Sequence, residues 1–162
     1  MKAIETTPLG KIEMELKNEH IAALRFHAQG EPTKQKEMEP LLKAAFLQLN
    51  EYFEKKRTAF DLDFDLSGVT PFQKEVYREL QKLAYGETIT YGELARRLGD
   101  VKKARAVGTA LGKNPIPIFI PCHRIVGATK KAGGYTGGLW IKETLLDLEK
   151  TKRNERGSTC HG

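Results

Sequence analysis

A cysteine and a histidine stand side by side at Cys122-His123, inside the run Ile118-Phe119-Ile120-Pro121-Cys122-His123-Arg124-Ile125-Val126. Apolar residues lead the chain inward, a proline halts it, and after three polar residues it turns apolar again. Polar groups taken into a core are costly unless they are paired. This thiol and imidazole are therefore either well satisfied or present for chemistry. Three chemistries suit them. A zinc site needs about four ligands at workable spacing, but His20, His27, His123 and His161 are scattered and the second cysteine is distant Cys160. A cysteine hydrolase needs a base oriented by a third group and an oxyanion hole, and Gly133, Gly134, Gly137 and Gly138 could line such a pocket. The third is a thiolate, activated by the histidine, that accepts an alkyl group.

The elements just upstream must position this cysteine. Thr70-Pro71-Phe72-Gln73 reads as a helix start, with a capping hydroxyl, proline at the first helical position and glutamine placed to close a capping box. Phe72, Val76, Leu80 and Leu83 form its apolar stripe, and Gly86 ends it. Leu94, Ala95 and Leu98 then give one face of a short helix stopped by Gly99. A second helix is expected from about 102 to 112, with Ala104, Val107, Gly108 and Leu111 inward and Ala106, Thr109 and Ala110 outward. Two short helices around a glycine turn fit a helix-turn-helix, with an ordinary helical hairpin as the alternative. Lys102, Lys103 and Arg105 crowd the first turns of the second helix, where a helix N-terminus already attracts phosphate. Its small outward residues would admit the backbone to a narrow groove, and Arg105 is long enough to reach a base stack. Beyond it, Asn114 before Pro115 suits a helix end, and its amide could also tie that end to the segment leading to Cys122.

The charge is uneven. Residues 1–70 carry 10 Lys/Arg against 12 Asp/Glu, whereas 71–162 carry 17 against 9, out of 27 and 21 in the whole chain. A basic half beside an acidic one suggests a polyanion for the basic part, against a merely solvated lysine-rich surface. Two cysteines are too few for a disulfide framework. The first residues lack the apolar core of a signal peptide, and no apolar run approaches the ~20 residues that span a bilayer. An intracellular protein is expected. In the first quarter, 11–16 and 21–26 alternate as strands joined by a turn at 17–20, followed by a helix through roughly 39–55 and a strand at 60–66 with an acidic outer face. Its aspartates, Asp61, Asp63 and Asp65, read as a solvated face rather than a metal site. Ser67-Gly68 marks a linker.

Pro121-Cys122-His123-Arg124-Ile125-Val126 resembles the signature of the O6-alkylguanine-DNA alkyltransferases, also called methylated-DNA–protein-cysteine methyltransferases. Arg105-Ala106-Val107-Gly108, Lys113-Asn114-Pro115, Gly134-Tyr135-Thr136-Gly137-Gly138-Leu139 and Leu145-Leu146-Asp147-Leu148-Glu149 match in order and spacing. The likeness is strong over roughly 70–150, and 1–66 agrees with the family's N-terminal domain. It implies an α/β chain: a small sheet-plus-helix, ribonuclease H-like domain over 1–66, a linker at 67–71, and a mainly helical domain with a winged-helix-like helix-turn-helix over 72–150. Residues 151–162 are expected to be a disordered tail.

The resemblance also assigns roles. Cys122 would be the acceptor, His123 its base acting through a bound water, Glu149 the group that orients His123, and Asn114 the hinge. Tyr91 would press on the 3′ phosphate and donate toward guanine N3. Ile125, Tyr135, Thr136 and Gly137, with Tyr91, would form the base pocket. Lys102, Lys103, Ala104, Arg105, Ala106, Gly108 and Thr109 would meet DNA in the minor groove, Arg105 filling the stack left by the flipped base. The implied partner is double-stranded DNA containing O6-alkylguanine, with O4-alkylthymine open. The protein would act once, as a monomer, with clustering along DNA open, without cofactor or membrane, in the cytoplasm (in the nucleus of a eukaryote). The family often has serine where Thr136 stands. Some members hold zinc through N-terminal cysteines, which this chain lacks, so no metal is expected. A non-catalytic branch has tryptophan at the acceptor position, against which Cys122 argues directly. A lesion sensor or helix-turn-helix binding module is the alternative.

Overall fold

The computed structural model of the chain describes residues 1–127, 135 and 137–157. These divide into two compact units, Met1–Gly68 and Val69–Gly162. The first unit is an antiparallel sheet, β1 (Lys2–Thr7), β2 (Gly10–Lys17) and β3 (His20–Arg25), in the order β1-β2-β3, with helix α1 (Pro40–Phe53) against it. Alternation drives β2, where Ile12 and Met14 are fully buried while Glu13 and Glu15 face outward to pair with Arg25. The β2–β3 turn at Asn18-Glu19 has positive φ at both residues, 51° and 59°, the hairpin turn whose twist matches its flanking strands. Leu42, Ala45, Phe46, Leu49 and Tyr52 of α1 are buried.

Two expectations in this unit need correction. Strand β1 is not foreseen by the sequence pattern, because its inward positions include small Ala3 and the polar Thr7, which fills its hydroxyl by donating to Gly10 O at 2.8 Å. Conversely, 60–66 alternates perfectly but pairs only at a single parallel bridge, Ile21↔Phe64. Beyond it the chain turns away, held by Asp65, which accepts from Asn18 Nδ2 at 2.7 Å and from the Ser67 hydroxyl at 2.6 Å. These bonds hold the Asp65 carboxyl down at about 2.

The second unit begins at α2 (Pro71–Gln81), whose capping box is complete: Gln73 N donates to Thr70 Oγ1 at 3.1 Å and Thr70 N to Gln73 Oε1 at 3.0 Å. Then follow β4 (Ile89–Thr90), α3 (Tyr91–Arg97), α4 (Ala104–Gly112), β5 (Ile125–Val126) and α5 (Leu139–Gly157). Helices α3 and α4 form the helix-turn-helix, turning at Gly99 with φ 104°. Strands β4 and β5 pair in parallel, Ile89 with Ile125 and Thr90 with Val126. That short ladder sets the start of α3 beside the Cys122–Arg124 turn, which forms a single 3₁₀ turn.

The second helix starts later than its apolar pattern suggests. Val101–Lys103 is 3₁₀, and α-helical geometry begins only at Ala104. Tighter winding over that turn rotates everything after it. Ala110, expected outward, is therefore buried, and its carbonyl accepts from the Tyr77 hydroxyl of α2 at 2.8 Å. Gly108, expected inward, is only half-buried, and a Cβ placed there would meet nothing within 4 Å. Helix α5 also continues to Gly157, past residue 150 where a disordered tail is expected to begin. Lys150, Lys152, Arg153, Glu155 and Arg156 are good helix formers that extend it. Among the described residues no helix is long and apolar enough to cross a membrane.

Candidate active site

Cys122 reaches its place through a loop fixed at both ends by one side chain. Buried Asn114 donates from Nδ2 to Ile120 O and accepts at Oδ1 from Ile116 N, each at 2.9 Å. Ile120 N returns to Ile116 O at 2.9 Å, and Cys122 N donates to Ile120 O at 2.7 Å. Between these ties Ile118 adopts φ 76° while remaining 1% exposed. A β-branched residue there costs on the order of 1–3 kcal/mol and persists only where its surroundings over-determine it. Asn114 supplies that determination, so the thiol's position is set by the backbone rather than by the thiol.

Behind Cys122 lies a buried polar chain. His123 is 0% and Glu149 2% exposed, and His123 Nε2 lies 2.7 Å from Glu149 Oε2. Glu149 receives three further bonds: Arg124 Nε at 3.0 Å, Arg124 Nη2 at 3.0 Å and the Gly86 amide at 2.9 Å. Arg124 Nη1 donates to Leu83 O at 2.9 Å. Burial alone would raise the Glu149 carboxyl, but His123 and Arg124 outweigh it and hold it far below the usual range. An ionised carboxylate can only accept. The hydrogen between these groups therefore sits on His123 Nε2, which leaves Nδ1 as the ring's acceptor. His123 Nδ1 is buried with no hydrogen-bond partner among the described residues.

Burial pushes the Cys122 thiol up to about 11, against the opposing pull of the Asn114 and Tyr135 side chains at its sulfur and of the Lys142 charge. A thiol so placed needs a base to become nucleophilic. Tyr91, the first residue of α3, is half-buried, and its phenol is raised by burial and by the nearby Cys122 charge. Ile125 is fully buried in β5, Gly137 is buried and Tyr135 half-buried. Thr136 lies outside the described residues, as do Gly133, Gly134, Cys160 and His161. Cys122, His123, Glu149, Asn114 and Tyr91 thus converge, with Tyr135 beside the sulfur.

Lys102, Lys103, Arg105, Ala106 and Thr109 are exposed along α4 and the turn before it, with Ala104 and Gly108 half-buried. Lys103 Nζ also lies 5.7 Å from the Phe72 ring centroid. Sequence reasoning missed Arg124's full role, Tyr77 and Lys142. Lys142 carried a usable signal: positions 142, 145 and 149 share one helical face, and all three are buried. Among the described residues no group of three or more His, Cys, Asp or Glu side chains could hold a metal ion.

A buried thiol next to an imidazole that is bonded to an ionised carboxylate is the residue set of a cysteine-dependent enzyme, here built into a helix-turn-helix unit. Comparison with known proteins says which one. Residues 2–66 match the family described as 6-O-methylguanine DNA methyltransferase, ribonuclease-like domain, and 71–151 match 6-O-methylguanine DNA methyltransferase, DNA binding domain. The chain belongs to the 6-O-methylguanine DNA methyltransferase family. It is 52% identical over 103 residues to a methylated-DNA–protein-cysteine methyltransferase of Mycolicibacterium paratuberculosis, covering 64% of this chain and 62% of that relative. The match therefore spans less than two thirds of that relative's length. A methyltransferase of the same name from Methanosarcina acetivorans is 48% identical over 113 residues, 70% of this chain and 72% of its own. The crystal structure of Mycobacterium tuberculosis OGT in complex with DNA superposes with a TM-score of 0.82 at 40% identity, covering 93% of each chain.

Proposed function

We propose that this protein repairs duplex DNA by moving an alkyl group from O6-alkylguanine onto Cys122, once per molecule. The observation that carries the reading is the buried order Cys122, His123, Glu149 immediately beyond a helix-turn-helix with a basic leading edge. His123 Nδ1 takes the Cys122 proton, relayed by a water as the family likeness implies, and Glu149 with its Arg124 partner balances the imidazolium. The thiolate attacks the alkyl carbon, an S–C bond forms and the C–O6 bond breaks. The electron pair passes to the guanine, which takes a proton at N3 from Tyr91. The product is a thioether that water does not cleave, and no group among the described residues of the site is suited to remove it. Asn114 acts as a positioning residue for Cys122, and Tyr91, Ile125, Tyr135, Thr136 and Gly137 form the base pocket.

On this reading α4 lies in the minor groove with Lys102, Lys103, Ala104, Ala106, Gly108 and Thr109 along the backbone and Arg105 in the base stack. The protein acts as a monomer with no cofactor, in the compartment that holds DNA. Gly108 supports the groove contact. Glycine within a helix is less stable than alanine by roughly 0.5–1 kcal/mol, yet no atom of the described residues lies within 4 Å of its Cβ position. Gly108→Ala is expected to stabilise the fold by about that amount in urea denaturation while weakening DNA affinity several-fold in a fluorescence titration.

The deciding experiment is intact-protein mass spectrometry after incubation with a duplex containing O6-methylguanine. The expected result is one added methyl on Cys122 per protein, in at most a 1:1 ratio to protein. Multiple turnovers, or label on another residue, overturn the reading. Damage-dependent binding with no mass gain would instead establish a lesion sensor.

A further inference from the structure

Tyr77 is a fully buried tyrosine of α2, with Val76 and Leu80 buried on the same helix. A tyrosine ordinarily keeps its hydroxyl at water, and finds it a partner when the ring is buried. Here the partner belongs to another helix. The Tyr77 hydroxyl donates to Ala110 O at 2.8 Å, a buried bond between α2 and α4, which pack together. Burial pushes that hydroxyl up to about 12, so it remains a donor through the working range of pH. The acceptor lies where α4 ends. Lys113 N donates to Ala110 O and Asn114 N to Leu111 O, each at 3.2 Å, the tightened winding common in a last helical turn. Beyond Ala110, the Asn114 side chain bonds Ile116 N and Ile120 O, and Cys122 N donates to Ile120 O. The far end of α2 also reaches the site. In the turn after it, Leu83 O accepts from Arg124 Nη1 at 2.9 Å, and Arg124 holds Glu149. One helix with its following turn thus bonds both to the end of α4 and to the ion cluster behind Cys122.

We infer that the Tyr77 hydroxyl is a positioning group that locks the end of α4 to α2, and so fixes the helix carrying Arg105 relative to Cys122 and His123. The consequence rests on the proposed alkyl-transfer function; the bond itself does not. A base drawn out beside Arg105 has to meet the sulfur in a reactive geometry, and a misplacement of about 1 Å can cost about 10²-fold in rate. The ties made by Asn114 set Cys122 against the end of α4, but they lie within 110–122 and would travel with that segment. The Tyr77 hydroxyl differs in kind, because it joins the segment to the helix whose following turn anchors Arg124. Without it, the segment can shift against Glu149 while every one of its internal bonds survives. The ring stays in the core when only its oxygen is lost, so the effect falls on placement rather than on packing.

Tyr77→Phe keeps the ring and removes the donor. With saturating O6-methylguanine duplex, its single-turnover transfer is expected to fall about fivefold to tenfold, what the net loss of one buried hydrogen bond gives. Duplex affinity should stay within about twofold of wild type, since the groove face of α4 is untouched. The ratio of wild-type to variant rates should be flat from about pH 6 to 9, because the hydroxyl does not titrate there. A 4-aminophenylalanine at residue 77 restores a donor and should return most of the rate. A 4-fluorophenylalanine fills the same space without a donor and should stay slow. That pair carries the test where Tyr77→Phe does not fold. In the free protein, amide exchange at Lys113 and Asn114 should quicken by about the same factor in Tyr77→Phe. Transfer at the wild-type rate, a loss of rate matched by a loss of affinity, equal rates for the amino and fluoro variants, or unchanged exchange overturns the inference. Quickened exchange in a protein whose wild type never takes up methyl would leave the Tyr77 link standing and remove the alkyltransferase reading instead.

Discussion

Cys122→Ser will leave lesion binding intact and abolish alkyl uptake. The substitution changes one atom in a site that Asn114 and the Ile116–Ile120 backbone bonds hold independently of the thiol. Serine fits that space, and its hydroxyl can take up the same polar neighbours. Stability in urea should therefore change by less than about 1 kcal/mol, and affinity for an O6-methylguanine duplex by no more than about twofold. Chemistry behaves differently. Burial here already pushes a thiol up to about 11, and a hydroxyl is a far weaker acid than a thiol, so His123 has no accessible alkoxide to generate. Removing the nucleophile of a comparable set costs roughly 10⁴-fold or more. Single-turnover transfer from labelled duplex should fall below detection at every pH from 6 to 9. Residual transfer within about tenfold of wild type would place the acceptor elsewhere.

Motif-bearing residues were legible because their chemistry is local. Cys122-His123 after a proline, the Thr70–Gln73 capping box and Gly99 at the turn each declare themselves within a few positions. Asn114 was half legible: its helix-end signal is local, but the reach of its amide to Ile120 needs the loop's fold. What could not be read depends on partners far along the chain. The alternating stretch 60–66 needs a second strand to become one and finds a single bridge. Strand β1 exists because β2 pairs with it, not because its own pattern is strong. The start of α4 was read two residues too early, since the 3₁₀ turn at Val101–Lys103 precedes it and no local signal marks the change. Tyr77 and Lys142 were passed over for a related reason. A tyrosine or lysine within a helix is ordinarily amphipathic surface, and only packing shows the hydroxyl under α4 or the ammonium over the Tyr91 ring.

The Glu149 carboxylate is where stability and chemistry meet, and Glu149→Gln should damage both. It is 2% exposed and takes hydrogen bonds from His123, twice from Arg124 and from the Gly86 amide. A glutamine keeps the shape but presents an NH₂ to donors and leaves Arg124 as a buried charge without its counter-ion. Breaking one side of such a pair costs about 3–5 kcal/mol, so the urea midpoint should drop sharply. The same change frees His123 to adopt the other tautomer, with hydrogen on Nδ1 where the Cys122 proton must go. Loss of the orienting acid in nucleophile–base–acid sets lowers rates by as much as about 10⁴-fold, and at least about 10²-fold is expected here. The pH dependence separates the two effects. The Glu149 carboxyl is depressed on folding, so its contribution is complete above the unfolded value of about 4.3 and is lost as pH falls through the folded one. Wild-type stability should therefore show this group's loss only in acid, beginning near about pH 4.3 and growing as the pH falls towards the depressed folded value, while Glu149→Gln is less stable at neutral pH and flatter as the solution is acidified. A variant as stable as wild type at pH 7, or one that transfers methyl at the wild-type rate, would mean that Glu149 neither holds Arg124 nor sets the His123 tautomer.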